Sequence, residues 1–390
     1  MYFVDPHLKT PITYQYNLSV QHELARSTAV EVSYVGNLSH GLTSLIDVNP
    51  FVLGTTDRVL NLGAGDSTCQ DASGNPTINP PPGPCSFGSA PEFKNISNAI
   101  YNSLQASLNR QLVDSHYLGR TYFTLAYTYG HSIDNASGFR QRNSSVPSYN
   151  PDLFRASSDQ DVRDRITFSG GWDLPFDRFF EPAPKRLTQG WSLFPIVTWR
   201  SGLPFDVFAN LGEQFTYNAE GPSGAGDPVN THANIVGPLN TLNPRTTQTI
   251  NGNTGHYYFN PNSLSNAQCS DPSCVPGPGM LPADSQVVAD PALATYGTLP
   301  RNFFRGPSYV DFDLAFSKTT TITERVKFEL RAEFFNILNH ANFANPGIIN
   351  SGNGIYTGGA GGTNPNSSIF GQITSTYDPR IIQLAGRVSF

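Results

Sequence analysis

Alternation is the clearest signal in the chain. Tyr14, Tyr16, Leu18, Val20, His22 and Leu24 fall on one side of an extended segment, and Thr13, Gln15, Asn17, Ser19, Gln21 and Glu23 on the other. Successive side chains of a strand point to opposite faces, so this spacing predicts a strand with one apolar face. A short turn at "ARS" leads into a second strand with Val30, Val32 and Tyr34 on one side, making a hairpin. Further strands follow from Leu104, Ala106 and Leu108; from Phe123, Leu125, Tyr127 and Tyr129; and from Ile166, Phe168, Trp172 and Leu174. "GWSLFPIVTWRSG" predicts a sixth strand with an irregularity at Pro195, because proline cannot donate to a ladder. Val310, Phe312, Leu314 and Phe316 mark a seventh, Val326, Phe328, Leu330, Ala332 and Phe334 an eighth, and the closing "RIIQLAGRVSF" a ninth.

The stretches between strands alternate between short and long. The long ones, about residues 36–96, 132–161, 202–307 and 337–379, are rich in Gly, Pro and Asn and read as loops. One apolar and one polar face per strand, with long connections at one end only, is the pattern of a membrane-spanning β-barrel. Strands of ~9–11 residues suffice for a tilted crossing. Backbone groups in lipid must all be paired, so such a sheet has to close. About nine strands do not satisfy an even-stranded antiparallel closure, so the expected fold is all-β: a partial antiparallel transmembrane barrel, the carboxyl-terminal strands of a larger one.

Composition supports strands over helices. Aromatics reach 12%, with 26 Phe and 17 Tyr, while charged residues are only 14%, well under the ~25% of an average soluble domain. The 35 Gly and 31 Pro fit many turns and irregular loops. The net charge of −6 argues against a nucleic-acid partner, which needs a basic face. No run of 18 apolar residues is present, which excludes a transmembrane helix. "MYFVDPHLKTPITY" has neither the basic start nor the apolar stretch of a signal peptide. The strand pattern then favours a chain whose natural amino-terminal portion is missing over a cytosolic protein.

Five segments carry a resemblance: "DVRDRITFSGGWDLPF", "GWSLFPIVTWRSGLPF", "RNFFRGPSYVDFDLAFSK", "ITERVKFELRAEFFNILNHANFANP" and "DPRIIQLAGRVSF". They resemble the carboxyl-terminal barrel of TonB-dependent outer-membrane receptors, above all the subgroup with an amino-terminal carboxypeptidase-regulatory-like domain. The resemblance runs over nearly the whole chain, and "RAEFFNILNHANF" is its most specific stretch. It implies a signal peptide, a plug domain and a barrel of ~22 strands in the intact family. This chain would supply only residues 1–390 of partial barrel, without signal peptide, plug or amino-terminal strands. The implied activity is import of bulky, scarce solutes (iron chelates, cobalamin or oligosaccharides) across the bacterial outer membrane. The implied partners are outer-membrane lipid, the barrel-assembly machinery, the plug, the energy-transducing complex and a small solute. In the family, a last strand with Ile382, Leu384, Val388 and terminal Phe390 resembles the signal that the assembly machinery reads.

Cys69 with Cys85, and Cys269 with Cys274, fall close together in predicted external loops. Outside the cytosol, such even counts suggest local disulfides. A metal site would need four converging ligands, and free thiols are the remaining reading. Asp159, Asp161 and Asp164 could suggest calcium, but the Gly and closing Glu of an EF-hand are absent, which favours a solvated loop rim. Lys327, Glu329, Arg331 and Glu333 form a charged row on one strand. This row reads as lumen wall, with cross-strand ion pairs to Asp311 and Asp313 as its main role. Tyr127, Tyr129, Trp172, Trp191 and Trp199 lie near strand ends, where a membrane aromatic belt would place them; ordinary core packing in a soluble sheet is the alternative. No G-x-S-x-G, H-E-x-x-H or P-loop occurs, so no enzyme activity and no cofactor is expected. A soluble or secreted β-rich binding or adhesion module is the rival. It requires Phe123, Leu125, Phe312, Leu314, Phe328 and Leu330 to pack against a second sheet.

Overall fold

A computed structural model of the chain describes residues 3–49, 90–137, 150–208, 234–235, 237–265, 267–268, 280–281, 299–346, 354–356 and 371–390. Nine long strands form one meander in which every strand pairs antiparallel with its sequence neighbour. They are β1 (Ile12–Ala25), β2 (Thr28–Asp47), β3 (Pro91–Ser115), β4 (Gly119–Asp134), β5 (Asp164–Asp173), β6 (Trp191–Arg200), β7 (Tyr309–Thr321), β8 (Lys327–Phe335) and β9 (Ile381–Ser389). Two-residue strands at Phe3–Val4 and Ala156–Ser157 add to β3 and β4. Among the described residues β1 and β9 pair with nothing on their outer edges, so the sheet is not closed.

The register explains why one face is apolar throughout. Val20 lies opposite Val32, Val32 opposite Ala106, Ala106 opposite Tyr127, Tyr127 opposite Ile166, Ile166 opposite Trp199 and Trp199 opposite Val310. A parallel row runs Leu108, Leu125, Phe168, Val197 and Phe312. Leu314, Phe334 and Ile382 carry a third row to the last strand. A one-residue slip anywhere would turn a whole strand inside out, so this agreement over nine strands fixes the register. Among the described residues no second sheet covers the band, and Leu18 is 71% and Leu384 73% exposed.

Two strands run well past the expected lengths. The segment after Gly36 reads as loop in sequence but belongs to β2, and residues 91–96 belong to β3. The β2–β3 register shifts around Leu42, where Gly41 adopts φ +64°. The bulge changes the phase of alternation, and a residue without Cβ takes the left-handed conformation there. At Gly36, opposite Tyr16, the phenol ring lies where a Cβ would project, so tyrosine covers the gap glycine leaves in the strand. Pro195 stays in register with Leu314 of β7. On the β5 side pairing lapses between Ser169–Ile196 and Trp172–Leu193, which is the irregularity expected of a residue lacking N–H.

The long connections are folded as well. Pro204–Phe208 pairs antiparallel with Phe304–Arg305 and parallel with Gly354–Tyr356. Phe205, Val207, Tyr258, Phe259, Leu264, Leu299, Phe304 and Ile373 form a buried cluster, the hydrophobic core of a cap at the long-loop end. Phe304 stacks on Phe205 at 5.5 Å and on Phe259 at 5.0 Å between ring centroids, an offset geometry favourable for aromatic pairs.

Candidate functional site

The cap meets the sheet through a buried polar clamp. Arg301, which precedes β7, reaches the end of β4. Its Nη1 donates to Asp134 Oδ1 at 2.8 Å and to the carbonyls of Asp134 and Phe154, and its Nη2 to Ser137 at 2.6 Å and Asp159 at 3.4 Å. Asn302 Nδ2 donates to the Ser157 carbonyl and to Asp159 Oδ1 at 2.7 Å. Arg305 bonds the Asp161 carboxylate and carbonyl and the Gly202 carbonyl. Arg163 Nε donates to Asp161 at 3.0 Å, and His131 bridges Asp161 and Arg163 at 3.1 Å on each side. Three aspartates thus face three arginines, which balances charge in a site where Asp161 is 1% exposed. Asp161 is held below the usual carboxylate range: burial alone would raise it, but the Ser132 amide, Arg305 and His131 outweigh that.

This places the acidic triplet differently from a solvated rim. Asp159 and Asp161 are buried counter-ions of arginines about 140 residues further along, and Asp164 accepts from the Tyr127 hydroxyl at 2.7 Å. The sequence shows the acids together but gives no sign of their partners. Among the described residues no group of His, Cys, Asp and Glu is arranged to hold a metal ion. Cys69, Cys85, Cys269 and Cys274 lie outside the described residues.

The asparagines of "FNILNHANF" have a shared structural task. β8 ends at Phe335, so the upper part of β7 loses its partner strand there. Asn342 takes over: its Oδ1 accepts from Val310 N at 2.8 Å and its Nδ2 donates to Val310 O at 2.7 Å, as a strand residue would. Asn336 and Asn339 adopt positive φ, 48° and 49°, and Asn336 bonds the His340 amide and the carbonyls of His340 and Asp378. Asparagine tolerates the left-handed region and bonds its own backbone neighbourhood, which explains its use here.

The face opposite the apolar band divides into two. On β1–β4 it is lined mainly by Ser, Thr, Asn and Gln that bond one another, Thr13 to Ser39 at 2.9 Å, Ser19 to Ser33 at 2.8 Å and Thr124 to Asn109 at 2.9 Å. Glu23 and Glu31 lie near the short-turn end, where Ser33 donates to Glu31 at 3.2 Å. On β7–β9 it carries Asp311, Asp313, Lys327, Glu329, Arg331, Glu333 and Arg387. The expected ion pairs between Asp311 or Asp313 and the β8 row do not form. The register sets Glu333 opposite Ala315, Arg331 opposite Ser317 and Glu329 opposite Thr319, so both aspartates lie past the last charged residue of β8. Asp311 instead accepts from Tyr309 and Asp313 from the Asn336 amide. Arg331 pairs with Glu333 on its own strand at 2.8 Å, and Glu329 faces Arg387 of β9.

Tyr127, Tyr129, Trp172, Trp191 and Trp199 all lie on the apolar side, in two tiers. Tyr127, Tyr129 and Trp199 sit toward the long-loop end, and Trp172 and Trp191 at the short-turn end. Trp191 and Trp199 are eight residues apart on β6, ~27 Å along a strand at ~3.4 Å per residue. With the usual tilt this is close to the ~25 Å height of a barrel's apolar band. A cleft of about 560 Å³ opens beside the upper tier, lined by Asp164, Trp199, Thr241, Tyr258, Phe303 and Arg305 among others. Burial pushes the Tyr258 hydroxyl up to about 12.

Comparison with known proteins agrees with this architecture. Residues 1–383 match the family described as an outer membrane beta barrel domain, so the chain belongs to that family and its place is the bacterial outer membrane. Among similar solved structures is the outer membrane transporter YddB from Escherichia coli, at 11% identity and TM-score 0.43 over 98% of this chain and 33% of that one. Another is the copper transporter OprC, at 9% identity and TM-score 0.35 over 99% of this chain and 32% of that one. The chain spans about a third of the length of these structures. No curated protein matches it in sequence.

Proposed function

We propose that this member of the outer membrane β-barrel family forms part of the wall of a TonB-dependent receptor, in the subgroup with an amino-terminal carboxypeptidase-regulatory-like domain. The wall belongs to a larger barrel that imports bulky, scarce solutes such as iron chelates, cobalamin or oligosaccharides. The observation that carries this reading is a two-faced sheet topped by loops locked into a cap by the Arg301–Asp134–Asp159 and Arg305–Asp161 clamp. A passive wall needs no such investment, whereas a rigid, outward-facing surface can present fixed contacts to a ligand. The polar face then lines the lumen, with a mostly uncharged, hydroxyl- and amide-rich β1–β4 wall carrying Glu23 and Glu31, and a more heavily charged β7–β9 wall. The chain carries no catalytic role in this reading.

The nine long strands among the described residues run alternately up and down and leave both edge strands pointing the same way, so antiparallel closure calls for further strands from the intact barrel. The plug, the energy-transducing complex and the barrel-assembly machinery are the corresponding partners, with Ile382, Leu384, Val388 and Phe390 offered to the last of these. The reading is tested by the gene upstream of Met1 and by binding of the intact product to the periplasmic domain of the energy-transducing protein. An in-frame plug and measurable binding support it. An upstream region without a plug, or an intact product that does not bind, removes TonB dependence. The soluble adhesion module is disfavoured by the uncovered band: among the described residues no second sheet meets Leu125, Phe328 or Leu330.

A further inference from the structure

The connections at the short-turn end are more apolar than turns facing water need to be. Tyr117 and Leu118 between β3 and β4, Phe179, Phe180 and Leu187 between β5 and β6, and Ile322 between β7 and β8 are each at least half exposed. The connection between β5 and β6 contains two single-turn helices, Phe176–Phe179 and Lys185–Thr188.

Side chains of the apolar face hold these turns on their own side of the sheet. Trp172 and Trp191 belong to the apolar face by register, and so does Lys318 opposite Trp191. The Trp172 indole N–H donates to the Leu118 carbonyl, and that of Trp191 to the Leu187 carbonyl at 2.6 Å. Lys318 lies 5.3 Å from the Trp191 ring and donates to the carbonyls of Arg186 at 2.9 Å and Gln189. The turns are also stitched to one another along the rim. Arg178 donates to the Ser115 carbonyl at 2.7 Å and to Asp114 at 2.8 Å, and Arg186 donates to the Ile322 carbonyl at 3.4 Å. The result is a strip running under three hairpins, continuous with the lower tryptophan tier and leaning away from the polar face.

We infer that this strip is a lipid-binding surface that seats in the headgroup–acyl boundary of the periplasmic leaflet, with Leu118, Phe179, Phe180 and Leu187 inserted among phospholipid chains. Elements lying in this plane bury apolar side chains by ~5–10 Å and keep cationic groups at headgroup depth. Lys185 and Arg186 occupy the second helix with no acidic partner among the described residues, at the depth where lipid phosphates lie. Lys318 follows the same logic, its stem over Trp191 and its ammonium on carbonyls at the rim. The strip would hold the barrel at fixed depth, with the lower tier at the headgroups. This inference rests on the lipid-facing reading of the apolar band, so the test separates the two.

In the intact gene product with its native cysteines replaced by serine, single variants Leu187→Cys, Phe180→Cys and Leu125→Cys are labelled with an environment-sensitive fluorophore. Each is inserted into vesicles of phosphatidylethanolamine and phosphatidylglycerol carrying nitroxide lipids at shallow or deep acyl positions, with iodide as aqueous quencher. Labels at 187 and 180 are expected to be quenched at least threefold more by shallow nitroxide than by iodide, and the label at 125 by deep nitroxide. Iodide quenching at both 187 and 180 with lipid quenching at 125 overturns the strip while leaving the band intact. Iodide quenching at all three overturns both.

Discussion

The wall and the cap use the same residue types in opposite ways. In the cap, Phe205, Phe259 and Phe304 are at most 2% exposed and stack on one another. In the wall, Leu18, Leu330, Ile382 and Leu384 are more than half exposed and arranged in cross-strand rows. Each cap aromatic excludes water by contact with its neighbours, as in any folded core. Among the described residues the wall side chains have no protein partner above them, and they need a solvent as apolar as themselves. One chain therefore carries two hydrophobic solutions, one internal and one supplied by the membrane. The polar groups follow suit, buried and charge-balanced under the cap, hydroxyl-rich and sparsely charged on the β1–β4 wall.

The largest effect on this contrast is expected from breaking the clamp. Arg301→Ala leaves Asp134 and Asp159 buried without their counter-ion and should cost about 3–5 kcal/mol. The loss should show as rapid proteolysis of the cap with the sheet still protected. Phe205→Ala should cost about 3–5 kcal/mol, by cavity formation, and be confined to the cap in the same assay. In the wall the sensitive change is polar rather than small. Leu125→Arg should destabilise by about 2–4 kcal/mol at mid-membrane, while Ala126→Arg on the opposite face should be close to neutral. Equal costs for the two in equilibrium unfolding from vesicles would erase the distinction between the faces.

Acid should act on the cap before the wall. Asp161 has its folded-state value lowered, so its contribution is fully present above the ordinary carboxylate value of ~3.9 and is lost as pH falls through the lowered one. Cap protection is expected to be flat from neutral pH down to ~5 and to fall only below ~4. Earlier loss would place the weak point elsewhere. The smallest change is expected at Glu333→Gln, because its pair with Arg331 is partly exposed and such pairs contribute ~0–1 kcal/mol.

How far this was legible in sequence follows the same division. The long strands other than β6 announce themselves by alternation, because each has one face in a different medium from the other. β6 is ambiguous in sequence, since Pro195 interrupts it and Phe194 and Ile196 put apolar residues on its second face. The extension of β2 was hidden by the bulge at Gly41, which shifts the phase between Leu38 and Leu42. The cap core was hidden because its aromatics come in short clusters, "PFDV", "YYF" and "NFF", with no period to count. Short apolar clusters bounded by Gly, Pro and Asn were the available sign. The clamp was the least legible part. Asp159 and Asp161 look solvated until Arg301, Asn302 and Arg305 arrive from a remote loop, and nothing local encodes that meeting. The charged row lies together on the polar face without the expected partners, since its last member, Glu333, is opposite Ala315 rather than Asp311 or Asp313.

The central claim is that the apolar face lies in lipid and the polar face in water. It is tested most directly by a cysteine scan of β4 from Thr121 to Tyr129 in intact outer membranes, read with a water-soluble maleimide. The account predicts labelling with a period of two: Tyr122, Thr124, Ala126 and Thr128 react, and Phe123, Leu125 and Tyr127 stay protected. Uniform reactivity, or alternation in the opposite phase, would contradict it.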